Sequence, residues 1–202
     1  MANFIKKIYN KKHIVPILFF VVFVLFIITV SLNSYVNKTA LSPELTPIPT
    51  SDIASQAQSV LSLTPDPVTL DANGNGIIDV IIETKTNDVT AIQLELLYDP
   101  SAITNVSIKP AQFFAQPVEL KKRVNTQNGR ITYMLGVSPT QQPIRGTGAI
   151  AKITFTKAVG TKLSHSPFSF YHSGNIESIV AATGVDKSVL KKTYDTNIIL
   201  YQ

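Results

Sequence analysis

After Val60, apolar and polar residues alternate in short runs broken by Gly, Asn, Asp and Pro. Successive side chains of an extended strand point to opposite faces, so each run predicts a half-buried β-strand. The segment 77–85 (IIDVIIETK) is one. The segment 91–99 (AIQLELLYD) is stronger, with Ile92, Leu94, Leu96 and Tyr98 on one face. Segment 130–137 (RITYMLGV) gathers Ile131, Tyr133, Leu135 and Val137, and segment 148–157 (GAIAKITFTK) predicts Ala149, Ala151, Ile153 and Phe155 inward. A last run, TNIILYQ, closes the chain. No helical period of comparable strength appears in this region, although 181–190 has room for one turn. Apolar strand faces need a second sheet to cover them, so the expected fold class is all-β, an antiparallel two-sheet sandwich over residues 60–202.

The N-terminal third has a different texture. Residues 14–32 read IVPILFFVVFVLFIITVSL, an uncharged apolar run of about 19 residues, enough to cross a bilayer core as a helix. Pro16 falls in its first turn, where a missing N–H costs little. Lys6, Lys7, Lys11 and Lys12 precede the run and only Lys38 follows closely. The positive-inside rule then puts residues 1–13 in the cytoplasm and the rest outside the cell. A cleaved signal peptide would have a shorter apolar region and a small-x-small site; the run here is longer, and NSYVNKTALS lacks such a site, so an uncleaved transmembrane signal anchor is the expectation. Residues 33–59 carry Pro43, Pro47 and Pro49 among Ser, Thr, Ala and Gln and read as a semi-extended linker.

Charge changes the picture little. The net charge is +5, but from residue 60 onward there are 13 Lys+Arg against 11 Asp+Glu. The basic excess is therefore mainly N-terminal and gives no nucleic-acid footprint. Lys121-Lys122-Arg123 reads as a solvated strand face or loop. With no cysteine, the chain has no disulfide framework, thiolate metal site or cysteine nucleophile.

One stretch invites a metal reading. In DANGNGIID, Asp71, Asn73 and Asn75 offer oxygens at alternate positions, Gly76 stands at the sharp turn of a calcium loop, and Asp79 matches a ninth ligand. The twelfth position, however, is Ile82 rather than a bidentate Glu, and the flanks VTL and IIDVIIE are β-like. Asn-Gly is itself a strong turn signal. The expectation is a turn between the first strands, with a weak calcium site at Asp71, Asn73, Asn75 and Asp79 as the alternative.

At IQLELLYDPSAITNVSI an amphipathic strand ends in Tyr98-Asp99-Pro100 and a short apolar strand follows; GRITYMLG and then GTGAIAKITF come downstream. Pro100 cannot continue a ladder, Asp99 suits the turn that follows, and Gly146 and Gly148 permit a turn or bulge. This order resembles the cohesin domain, the module that receives dockerins in cellulosome scaffolds, and the resemblance covers the whole region 60–202. It implies a nine-stranded jelly roll, shared with some carbohydrate-binding modules, and a non-catalytic role in polysaccharide binding or breakdown. Many cohesins carry Asn-x-Asp at the start of the Y-D-P strand; here Ala91 and Gln93 stand at those positions, which removes a carboxylate from the contact face.

Signs of catalysis are absent. His13 lies at the membrane edge, and His165 and His172 flank SPFSFY as expected loop or sheet residues. Neither a G-x-S-x-G elbow nor a P-loop occurs. No catalytic residue, cofactor or metal is predicted. Aromatic platforms for sugar are thin: Trp is missing, and Tyr171, Tyr194, Phe113 and Phe114 are the remaining candidates, each better suited to core packing. For a protein partner, alternation sends Gln93 and Glu95 outward on one strand and Thr132 and Met134 outward on another, and these four are the predicted partner-binding residues. The expected partner is a dockerin-like module; direct polysaccharide binding, or a structural envelope role, is the other reading.

Overall fold

The computed structural model describes residues 56–138 and 140–201. The basic segment, the apolar run 14–32 and the linker up to residue 55 lie outside them. No helix among the described residues is long and apolar enough to cross a membrane.

The described residues form eleven strands: β1 Ser59–Thr64, β2 Asn75–Glu83, β3 Val89–Tyr98, β4 Ile103–Pro110, β5 Val118–Asn125, β6 Arg130–Gly136, β7 Thr147–Lys157, β8 His165–Phe170, β9 Ile179–Ala182, β10 Leu190–Tyr194 and β11 Thr196–Ile199. They form two sheets. One runs β10-β1-β2-β7-β4; the other runs β11-β8-β3-β6-β5, with β9 also paired to β3. The two-sheet sandwich of the sequence reading is the observed architecture.

Pairing between the strands departs from a purely antiparallel sandwich where β1 and β10 run parallel, and an isolated parallel bridge joins Val68 to Ile198 of β11. The reason is topological. β9 belongs to the β3 sheet, and the chain changes sheets after it, so β10 reaches the free edge of β1 without a hairpin. The 181–190 segment holds no helical turn; it ends β9, turns, and begins β10.

The facing sides meet in one core. Leu61, Ile78, Val80, Ile82 and Ile153 from the first sheet pack with Leu94, Leu96, Ile131, Tyr133 and Phe168 from the second, all closed to solvent. Tyr98 stacks on Phe168 with ring centroids 6.0 Å apart. The predicted faces of β3 and β6 are the buried ones, with Val137 partly buried at the end of β6.

On β7 the expected inward set needs one correction. Val80 pairs with Ala151 and Ile81 with Ala149, so Ile150 is an extra residue and the strand bulges there. A bulge reverses the side-chain phase; Ile150 is buried and Ala149 only half-buried. Gly146 precedes this bulge in a turn, where its N–H donates to Thr84 Oγ1 at 2.8 Å.

The Y-D-P turn behaves as its residues dictate. Asp99 Oδ1 accepts from Ser101 N and Oγ at 2.8 and 2.7 Å. Its carbonyl accepts from Ala102 N and Ile103 N, which leads the chain into β4. Tyr98 N donates to the carbonyl of Gly129 at 2.9 Å. Gly129 has φ +66°, and a Cβ there would stand 1.8 Å from the Tyr98 carbonyl oxygen, so only glycine fits.

Candidate functional site

The outer face of the β3 sheet follows from its register. Residues directly opposite on antiparallel strands share a face. One row therefore runs Glu95, Thr132, Arg123 across β3, β6 and β5; the next runs Gln93, Met134, Lys121; a third runs Leu97, Arg130, Asn125. The four predicted residues occupy the β3 and β6 positions of two adjacent rows. Gln93, Thr132 and Met134 are half-buried.

Glu95 is placed differently from a free contact residue. It lies on the outer side, as alternation requires, yet is only 3% exposed. Its Oε2 accepts from Arg130 Nε at 3.1 Å, Arg130 Nη2 at 2.8 Å and Thr132 Oγ1 at 2.9 Å. Its Oε1 accepts from Gln93 Nε2 at 3.1 Å. The Arg130 guanidinium in turn lies 4.4 Å from the centre of the Tyr171 ring.

The chain that leaves β8 closes this arrangement. β8 pairs with the end of β3 and β9 with its beginning. Between them, Tyr171 N donates to the Glu95 carbonyl at 2.8 Å and Glu95 N donates to Ser178 Oγ at 3.0 Å. A carboxylate removed from water needs the donors that Arg130, Thr132 and Gln93 supply. Glu95 thus organises the face, and Gln93, Thr132 and Arg130 are held by it.

Beside this cluster lies a groove of about 390 Å³ lined by Gln93, Glu95, Lys121, Arg123, Asn125, Asn128, Arg130, Thr132, Asn175 and Ile176. Met134 adjoins it on β6 without lining it. Lys121 and Arg123 are exposed and have no carboxylate partner among the described residues, whereas Lys122, one position between them, faces the other way. Sequence reasoning missed Arg130, Tyr171 and Ser178 as parts of the site. Arg130 stands one turn of alternation from Thr132 and was legible; Tyr171 and Ser178 come close only because β8 and β9 both pair with β3 and the loop between them returns to it.

A larger concavity of about 950 Å³ opens on the other sheet around Lys109, Phe113, Arg145 and Lys152. Two of its cations are already paired, Lys152 with Asp79 at 2.6 Å and Arg145 with Asp88 at 2.8 Å.

The DANGNGIID stretch is a turn entering β2. Asp71 Oδ1 accepts from Asn73 N at 2.9 Å and Asn75 N at 2.8 Å, and Asp71 Oδ2 from Asn75 Nδ2 at 3.1 Å. Those bonds, from Asn75 foremost, hold the Asp71 carboxyl below its ordinary pKa. Asn75 Oδ1 accepts from Thr156, and Asp79 lies up the strand on Lys152. Asp71 and Asn75 thus bond each other while Asp79 is taken by Lys152, and no group of three or more metal-ligating residues occurs among the described residues.

The other candidates scatter. His165 is exposed on β8 with Nδ1 3.0 Å from Ser164 Oγ, and His172 is exposed in the following loop; His13 lies outside the described residues. Phe114 is buried, with Phe113 packed edge-on at 5.1 Å. Tyr171 covers Arg130, while Tyr194 ends β10 on the other sheet, with Lys192 4.2 Å from its ring centre. They do not form one aromatic platform. Burial raises the Tyr133 hydroxyl pKa, reinforced by its 2.6 Å hydrogen bond to Glu119 Oε2.

Comparison with known proteins gives a consistent picture. The family model described as Cohesin domain matches residues 53–190. Among solved structures, a cohesin from Clostridium thermocellum, in the Coh-OlpA-Doc918 type I cohesin–dockerin complex, superposes with TM-score 0.57 at 14% identity, covering 71% of this chain and 99% of that one. The third cohesin ScaC of Acetivibrio cellulolyticus, solved with the ScaB dockerin, gives 0.56 at 15% identity, covering 72% and 100%. A type II cohesin domain from the cellulosome of the same organism gives 0.52 at 13% identity, covering 70% and 95%. At these identities the likeness is one of fold. The search of curated proteins returned no match.

Proposed function

The chain belongs to the cohesin domain family, and on that footing we propose that it is a non-catalytic receptor for a dockerin-like protein module. The observation that carries this reading is the family match over residues 53–190. Support comes from the solved neighbours, several of which are cohesins in complex with dockerins. The proposed contact surface is the outer face of β3 and β6, with Gln93, Thr132 and Met134 as contacts and Glu95 beneath them. A flat sheet face suits such recognition because it presents a broad area with a central apolar anchor, here Met134.

The proposal extends to setting. Residues 14–32 anchor the chain in a bilayer, residues 1–13 remain cytoplasmic, and the domain is displayed outside the cell, where polysaccharide is bound or degraded. Immobilised protein is challenged with a panel of dockerin modules and with a glycan array. Binding of dockerins, lost on Met134→Asp, is the expected result. Binding to glycans alone would overturn it.

A further inference from the structure

Each of the two predicted rows ends on β5 in a cation: Glu95-Thr132 in Arg123, and Gln93-Met134 in Lys121. The outward side chains of β3, β6 and β5 thus include three cations, Lys121, Arg123 and Arg130, and one carboxylate, Glu95. That carboxylate is spent on Arg130, which donates to it twice. Arg123 lies two strands from Glu95, about 10 Å away along the row. At that distance little of the residual field survives physiological salt. Lys121 and Arg123 therefore present two uncompensated positive charges to whatever occupies the groove. Glu177, in the loop between β8 and β9, lines a different concavity, shared with Lys187 and Lys191.

Resting on the reading that this face receives a protein module, we infer that the partner segment is acidic, with two carboxylates that pair with Lys121 and Arg123. Those two residues are two apart on one strand face, about 7 Å along β5. Carboxylates one helical turn apart, with Cβ atoms about 5–6 Å from each other, match this spacing. The same face offers apolar contact beside the cations: Met134 lies next to Lys121, and Ile176, 42% exposed, lines the groove. An apolar side chain flanked by carboxylates fits a protein helix better than a uniformly charged sugar or a free anion. Ala91 and Gln93 add no negative charge to repel such a segment.

The test uses the full chain, immobilised, and two sets of dockerin modules, one with acidic and one with basic contact helices. Polygalacturonate and inorganic phosphate serve as non-protein polyanion and anion. The inference expects acidic modules to bind, K121E/R123E to weaken them about tenfold or more, and the loss to shrink as salt rises. K122E, on the opposite side of β5, controls for charge in general and is expected to leave binding unchanged. If basic modules bind instead, and K121E/R123E strengthens them, the acidic assignment is overturned while the receptor reading stands. If only polygalacturonate or phosphate binds, the protein partner is overturned. If nothing binds, both the receptor reading and the inference fall.

Discussion

Glu95 shows how much one buried carboxylate can dictate. Alternation along β3 places it outward correctly, but its neighbours decide that it is covered. Arg130 neutralises it, Thr132 and Gln93 complete its hydrogen bonds, and Tyr171 packs on the arginine. Removing one partner of such a pair leaves a charge without compensation. Arg130→Ala is expected to cost about 2 kcal/mol, less than a fully buried pair because Arg130 is partly exposed. Chemical denaturation of both proteins reads this directly, and an unchanged midpoint would mean that Glu95 is solvated. Gly129 is a second single-residue constraint. Gly129→Ala combines a left-handed backbone with a collision against the Tyr98 carbonyl, so a loss of at least about 2 kcal/mol is expected, seen as a fall in Tm of about 4–8 °C.

At the scale of elements, the 71–75 turn is closed by two backbone hydrogen bonds and reinforced by one carboxylate, that of Asp71. The folded-state pKa of Asp71 is depressed below its ordinary 3.8. Its contribution is therefore complete above that value and is lost as pH falls through the folded-state pKa. Asp71→Ala is expected to lower Tm at neutral pH, with the gap to the native protein closing as the buffer is taken below pH 3.8. Added calcium is expected to leave the native Tm unchanged; calorimetric heat on calcium addition would restore the metal reading. The strands with one apolar and one polar face, β2, β3, β6 and β7, were legible because burial on one side imposes period two. β5 was not, since VELKKRVN is an edge strand exposed along most of its length. Charge suits such an edge by discouraging further pairing. β8 escaped for the opposite reason: Ser166 takes an inward position beside Phe168 and Phe170, so the alternation is chemically masked.

For the whole molecule, the anchor proposal rests on the apolar run 14–32 and the lysines before it. Protease added to intact cells is expected to release the β-domain and leave a short membrane-bound N-terminal fragment. Recovery of a mature N-terminus shortly after residue 32 would instead establish cleavage and secretion. By itself the sequence determined the sandwich, the inward faces of β3 and β6 and the turn character of DANGNGIID. These follow from local rules: side-chain period, strand-ending Pro and glycine-bearing turns. The resemblance at Y-D-P and GTGAIAKITF carried the family. Only the tertiary structure decided the parallel β1–β10 pair, the bulge at Ile150, the burial of Glu95 under Arg130 and Tyr171, and the alignment of Lys121 and Arg123 with the predicted rows. Each depends on register between segments distant in sequence, and register is set by what the other sheet and the crossover chains leave room for.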